Sequence, residues 1–137
     1  MRNAETRHNV SRSVLDASAL IALILREPGS DRLTPRLMST AMTSAVNLAE
    51  VHGKLLRSGF SSEDAWIAAN EPINEVVSFS AEQAKTAGDL TLQTRALGLS
   101  FGDRACLALA LSKNAPVYTT DRSWNKLDLG IRIYALR

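Results

Sequence analysis

The sequence is poor in the side chains that build disulfides, histidine sites and membrane spans. Its 137 residues include one cysteine and two histidines, and aromatic residues make up 5% of the chain. The lone Cys106 rules out a disulfide within the chain and favours a reducing compartment such as the cytoplasm. The longest apolar run, Ala19 to Leu25, is too short to span a bilayer. We therefore expect a cytoplasmic globular protein whose chemistry rests on other side chains.

The beginning of the chain lacks the apolar segment of a signal peptide. Residues 1–12, MRNAETRHNVSR, are polar and basic, which predicts a flexible N-terminal extension. Residues 13–137 are expected to form one domain, because their number suits a single hydrophobic core. The formal net charge of +2 is compatible with a polyanionic partner and does not demand one.

Short strands alternate with helices along the whole domain, which predicts a parallel sheet covered by helices on both faces. The predicted strands are 13–15, 40–43, one within 73–79 centred on Val76 and Val77, 117–120 and 131–134. The predicted helices are 19–26, 30–39, 45–57, 61–70, 80–97 and 103–112. The helix at 30–39 is weak, and Pro35 either breaks it or delays its start. The helix at 80–97 is expected to run unbroken from a capping box of Ser80 and Gln83 to Gly98.

Four acidic residues stand where such a sheet would bring them together. Asp16 ends the first strand and Asp121 follows the fourth. Asp103 opens an apolar helix, and Glu50 lies on the helix after the second strand. In an open α/β sheet, the carboxyl ends of strands and the amino ends of the following helices share one edge. Each acid alone has an ordinary explanation, as a helix cap, a turn residue or, for Glu50, an ion pair with Lys54. Together they predict a site.

Four carboxylates at one edge would repel one another unless a cation neutralised them. Mg²⁺ or Mn²⁺ is the expected cation, because a hard ion takes oxygen ligands and keeps several waters, so only some of the acids need bind it directly. The chemistry that needs such an ion is attack of a metal-activated water on a phosphodiester. Arg104 and Arg122, each directly after an acid, would then guide the substrate backbone, unless they are ordinary surface charges.

The same acids lie in four motifs that carry a resemblance to a known family. The motifs are VLDASAL at 14–20, NLAEV at 47–51, GDRACLALA at 102–110 and TTDRSW at 119–124. In this order and at this spacing the sequence resembles the PIN-domain ribonucleases, and most closely the VapC toxins of bacterial toxin–antitoxin pairs. The resemblance covers the chain from about Ser13 onward. It implies a three-layer α/β/α sandwich around a five-stranded, mainly parallel sheet.

The resemblance also implies roles for individual residues. The catalytic and metal-binding quartet of the family matches Asp16, Glu50, Asp103 and Asp121. Within the quartet, the expected direct Mg²⁺ ligands are Asp16 and Asp103. The supporting polar groups match Ser18, Asn47 and Thr120. The residues expected to contact the substrate or an antitoxin are Arg104 and Arg122.

The implied function is that of a Mg²⁺-dependent endoribonuclease toxin of a type II toxin–antitoxin system. Such a toxin cleaves RNA, for example tRNA or rRNA, acts as a homodimer and is silenced by a VapB-like antitoxin. The basic extension before Ser13 departs from the family pattern.

Two alternatives stay open: a PIN nuclease of RNA processing without an antitoxin, and a catalytically silent PIN module that only binds. The intact quartet argues against the silent module. A metal-independent ribonuclease is disfavoured, because such enzymes commonly use paired histidines. Here the two histidines are His8 and His52, and His52 lies on a different helical face from Glu50.

Overall fold

A five-stranded sheet runs through residues 12–137, the part of the chain that this computed structural model describes. The strands are β1 (Ser13–Leu15), β2 (Ala41–Ser44), β3 (Glu75–Val77), β4 (Val117–Thr119) and β5 (Ile133–Ala135). Their spatial order is β3-β2-β1-β4-β5, and each neighbouring pair is parallel. The expected flexible extension lies outside the described residues except for Arg12, which forms an ion pair with Glu75 at 2.7 Å.

Helices follow the strands and cover both faces of the sheet. They are α1 (Ala17–Leu25), α2 (Pro35–Met38), α3 (Ala45–Arg57), α4 (Ser62–Asn70), α5 (Ala81–Asp89), α6 (Thr91–Thr94) and α7 (Phe101–Lys113). Short 3₁₀ turns lie at Ser30–Arg32, Arg95–Leu97 and Arg122–Lys126. Within residues 12–137, no helix has both the length and the apolar character needed to cross a membrane.

Two apolar clusters fill the space between the sheet and its helices. On one side, Leu15 of β1 packs with Leu20 of α1 and Val51 of α3. On the other side, Val14 of β1 packs with Leu107 of α7. Neighbouring residues of a strand point to opposite faces of the sheet, so β1 contributes one side chain to each cluster. The predicted three-layer α/β/α sandwich with a five-stranded parallel sheet is confirmed.

The single helix predicted at 80–97 is wrong. Helix α5 ends at Asp89, and α6 and a 3₁₀ turn complete the segment. Leu90 and Thr94 are buried at the break, and the Thr94 hydroxyl donates to the Leu90 carbonyl at 2.9 Å. The break lies at these buried residues, in a stretch whose threonines have low helix propensity. The predicted capping box is half formed. Ser80 Oγ accepts from the Gln83 N–H at 3.1 Å, but Gln83 Oε1 has no partner among the described residues.

The weak helix predicted at 30–39 starts late, at Pro35, which was one of the two expected outcomes. It becomes a 3₁₀ turn and the four-residue α2, which begins at Pro35. Proline suits the first helical position, because the N–H that it lacks would have no partner there. Strand bounds shift by one or two residues, as β2 starts at Ala41 and β5 at Ile133.

Candidate active site

Asp16 is a buried carboxylate at the carboxyl end of β1. It caps α1, since Oδ1 accepts from the Ala19 N–H at 2.8 Å and from Ser18 Oγ at 2.7 Å. Oδ2 accepts from Thr119 Oγ1 at 2.6 Å. Burial raises the pKa of Asp16 from 3.8 to about 6, although these three hydrogen bonds lower it, and the charge of Asp103 raises it further. A carboxylate that only caps a helix is usually exposed, so capping alone does not explain why Asp16 is buried.

Thr119 is the site residue that the sequence interpretation missed. Strand β4 pairs with β1 so that Leu15 lies opposite Tyr118, and this register places Thr119 beside Asp16. Besides donating to Asp16, Thr119 Oγ1 accepts from the backbone N–H of Asp121 at 3.1 Å. The predicted supporting residue, Thr120, acts here through its backbone N–H, which donates to Ser18 Oγ at 2.9 Å. Adjacent residues of a strand point to opposite faces, so only one of two neighbouring threonines can face Asp16. The pairing of β1 with β4 was the signal that could have identified it as Thr119.

Asp103 lies in the first turn of α7 and takes part in a complete capping box. Its Oδ2 accepts from the Ser100 N–H at 2.9 Å, and its own N–H donates to Ser100 Oγ at 3.2 Å. Within residues 12–137, no donor is bonded to its other oxygen, Oδ1. The ordinary role of a helix cap is therefore fulfilled by one oxygen, while the other remains available.

Glu50 is held over the start of α7 by Asn47. The Asn47 side-chain amide donates to Glu50 Oε1 at 2.8 Å and to the Gly102 carbonyl at 3.0 Å. A Cβ at Gly102 would overlap the Glu50 carboxylate, so any other residue there would require the end of the Glu50 side chain to move. The ordinary alternative for Glu50, an ion pair with Lys54, does not occur among the described residues.

Besides burial, the charges of three of the four acids raise the pKa of the buried Cys106 thiol. These three acids therefore lie near the same part of α7. The pKa of Cys106 is raised first by burial and then by the charges of Asp16, Asp103 and Glu50. Asp121 lies farther out. It is exposed, and its Oδ1 accepts from the N–H and the hydroxyl of Ser123 at 3.0 and 2.7 Å. Its link to the others runs through its backbone N–H and Thr119.

A family model for the PIN domain matches residues 13–129. The chain belongs to the PIN-domain family. No curated protein matches its sequence.

Solved structures with the same fold as this PIN domain include several VapBC proteins. One is VapBC2 from Rickettsia felis bound to a DNA fragment from its promoter, with a TM-score of 0.72 and 19% identity, covering 90% of this chain and 98% of the other. Another is DNA-bound VapBC from Salmonella typhimurium, with a TM-score of 0.72 and 18% identity, covering 92% and 98%. A third is VapC20 from Mycobacterium tuberculosis, a sarcin-ricin loop cleaving toxin, with a TM-score of 0.67 and 22% identity, covering 88% and 98%. At these identities the likeness concerns the fold.

The two arginines expected to contact a substrate or antitoxin have bonds within the PIN domain. The Arg104 guanidinium donates to the Ala87 carbonyl at 3.3 Å and to Thr91 Oγ1 at 3.0 Å, which ties α7 to α5 and α6. Arg122 Nε donates to the Arg137 carbonyl at 3.3 Å and is exposed. Both therefore have a structural role, and a role in binding stays a prediction.

The donor set fits a hard divalent cation bound through few protein ligands. Among the described residues, no three histidine, cysteine, aspartate or glutamate side chains lie close enough to hold a metal as a group. Mg²⁺ commonly uses only one or two carboxylates and keeps several waters. Asp16 and Asp103 could supply that pair, because they interact electrostatically and one oxygen of Asp103 is unbonded. A nearby cation would also explain a buried carboxylate that burial alone disfavours.

An open groove of about 350 Å³ leads away from this centre along α3. It begins at Ser18, Thr120 and Glu50 and extends past Lys54 and Arg57. The groove therefore adjoins the site at Glu50, Ser18 and Thr120, while Asp16 and Asp103 are not among its lining residues.

Proposed function

We propose that this PIN domain is a Mg²⁺-dependent endoribonuclease and acts as the toxin of a type II toxin–antitoxin pair. Membership of the PIN-domain family supports nuclease chemistry, and the fold likeness to VapBC proteins supports the toxin role. The observation that carries the proposal is the pairing of Asp16, buried at the end of β1, with Asp103 at the start of α7. Each acid also caps a helix, but capping does not require two carboxylates close together, and a cation would neutralise them.

The residues of the site have separable tasks in phosphodiester hydrolysis. Asp16 and Asp103 would hold the ion. Ser18, Thr119 and the Ala19 N–H fix the orientation of the Asp16 carboxylate through hydrogen bonds of 2.6 to 2.8 Å. When bound, Mg²⁺ supplies an activated water and stabilises charge on the phosphoryl oxygens.

Glu50 is the candidate to accept a proton from the attacking water. Asn47 holds its Oε1 at 2.8 Å, which leaves Oε2 as the proton acceptor. Asp121 lies farther out, so we assign it to the outer part of the site, where it would bind the ion through water or orient the substrate.

The partners proposed for this protein follow from the toxin role. They are an RNA substrate, such as a tRNA or rRNA, a VapB-like antitoxin that blocks the groove, and a second copy of the chain in a homodimer. The activity would take place in the cytoplasm, where these RNAs are found.

The test is cleavage of total cellular RNA by purified protein free of antitoxin, in Mg²⁺, Mn²⁺ and EDTA. Asp103→Asn removes a proposed ligand while keeping the shape of the side chain. Asp89→Asn is the matched control, because Asp89 is exposed and forms an ion pair with Lys85 outside the site. We expect discrete fragments with metal from the wild type and from Asp89→Asn, and none from Asp103→Asn.

Other outcomes would change the assignment. Cleavage that persists in EDTA would contradict the metal requirement. Folded protein that yields no product from any RNA would favour a silent binding module, and cleavage by a protein for which no antitoxin exists would favour RNA processing.

A further inference from the structure

We call Asp16, Asp103 and Glu50 the acidic centre. The groove beside it carries two cations without ion-pair partners among the described residues. Lys54 and Arg57 are exposed on α3, and neither forms an ion pair with any described residue. Most cations of the described residues also lack an ion pair, so the feature that sets Lys54 and Arg57 apart is that both line the groove next to Glu50.

The spacing of these cations follows from the helix that bears them. Glu50, Lys54 and Arg57 are at positions i, i+4 and i+7 of α3, which lie on one face of a helix. All three line the same groove. Lys54 is roughly 6 Å and Arg57 roughly 10 Å along the helix axis from Glu50. Lys54 and Arg57 are thus about 4.5 Å apart along the axis, and their long side chains could contact neighbouring phosphates of one strand.

The other walls of the groove add no unpaired charge. Glu27 is neutralised by Arg137 at 3.3 Å, and Arg137 also donates to the Pro28 carbonyl at 2.9 Å. Ala17 and Ile21 of α1 line the opposite side. Beyond Glu50, the unpaired charges that line the groove are therefore the positive charges of Lys54 and Arg57. A negatively charged chain would fit such a groove.

We propose that Lys54 and Arg57 form a phosphate track that holds the RNA strand on one side of the scissile phosphodiester. This inference rests on the proposed function, since it takes the scissile bond to lie at Asp16 and Asp103. The first phosphate beyond that bond would meet Lys54 and the second would meet Arg57. RNA is favoured over an acidic peptide because its charges recur at a fixed interval that continues from the acidic centre.

The test measures RNA binding without cleavage. The probe is a short single-stranded oligoribonucleotide of mixed sequence, labelled with fluorescein, and its anisotropy is followed in EDTA from about 50 to 200 mM KCl. The variant is Lys54→Ala with Arg57→Ala. The matched control is Lys113→Ala with Arg132→Ala, which also removes one lysine and one arginine. Both control residues are exposed and lie at the opposite edge of the sheet, at the end of α7 and before β5.

The expected result is a weaker salt dependence of RNA binding in the track variant only. Each phosphate contact to a single strand contributes about 0.7 to the slope of log K against log salt, so the slope should fall in magnitude by about 1.4. The control should keep the wild-type slope. The charge-preserving variant, Lys54→Arg with Arg57→Lys, should restore it. In cleavage assays with Mg²⁺, the track variant should raise KM and leave kcat nearly unchanged.

Failure of this inference can be told apart from failure of the proposed function. If the wild type cleaves RNA and the track variant keeps its slope, the track is wrong and the nuclease stands, and an acidic peptide becomes the better occupant of the groove. An equal fall in slope for the control would also overturn the track. A wild type that neither binds nor cleaves RNA would overturn both proposals.

Discussion

Gly102 shows how much of the site depends on the absence of one methyl group. The Glu50 carboxylate occupies the space that a Cβ at Gly102 would fill, and Asn47 bonds to both residues. A substitution here would displace the proposed proton acceptor without removing a single charge. Gly88, on α5, offers the contrast, because a Cβ added there meets no atom within 4 Å.

We predict that Gly102→Ala lowers kcat/KM for RNA cleavage by roughly ten- to a hundredfold, the effect expected of a misplacement near 1 Å. The control, Gly88→Ala, should leave cleavage unchanged and raise the free energy of unfolding by about 0.5–1 kcal/mol, because alanine is the better helix former. Steady-state kinetics and urea unfolding measure both effects. Normal cleavage by Gly102→Ala would show that the rate of RNA cleavage does not depend on the observed position of Glu50.

Strands β1 and β4 hold the site together at the level of elements. Each strand is short, yet their parallel pairing brings Asp16, Thr119 and the Asp121 backbone into one hydrogen-bonded chain. Helix α7 then approaches with its capped first turn, so that Asp103 lies close enough to affect Asp16. The acidic centre is thus a property of two strand ends and a helix start.

We predict that Thr119→Val lowers the free energy of unfolding by about 1–3 kcal/mol, because the buried Asp16 carboxylate loses a donor and the partly buried Asp121 N–H loses an acceptor. The loss should grow between about pH 4 and pH 8, because Thr119 donates to a carboxylate that ionises in this range. Thr119→Ser keeps the hydroxyl, so its smaller loss should be independent of pH. A loss of equal size for both variants at every pH would mean that the methyl group, and not the hydroxyl, matters.

The stability of the whole molecule should depend on pH through Asp16. Its pKa is about 6 in the folded protein against an ordinary 3.8, so the folded state binds more protons than the unfolded state between about pH 4 and pH 6. The contribution of Asp16 to stability is therefore full below about pH 4 and is lost as the pH rises through 6. The shift of about two units corresponds to roughly 3 kcal/mol at most.

We predict that Asp16→Asn is more stable than the wild type above about pH 7 in EDTA, by up to about 3 kcal/mol, and that the difference shrinks towards pH 4. Denaturant unfolding across this pH range measures it, with Asp89→Asn as the control expected to show no such trend. Added Mg²⁺ should stabilise the wild type but not Asp16→Asn, because ligand binding to the folded state adds to its stability. If the wild type were more stable than Asp16→Asn at pH 8 in EDTA, the prediction that burial of the ionised Asp16 carboxylate destabilises the fold would be wrong.

Local signals in the sequence determined the order of elements and the identity of the acids. Proline, glycine and capping residues mark where helices begin and end, as Pro35, Ser44 and Ser100 do here, and these depend on a few neighbouring residues. The position of Asp16 and Asp121 after strands, and of Asp103 at a helix start, placed them at one edge of a parallel sheet.

Only the tertiary structure decided which groups meet there. Strand pairing brought the Thr119 hydroxyl to Asp16, and the approach of α7 to α3 placed Gly102 against the Glu50 carboxylate. Burial of Leu90 and Thr94 broke the helix that the sequence predicted as continuous. These outcomes depend on residues far apart in the chain, whose distances and burial are set by packing and cannot be read from local spacing.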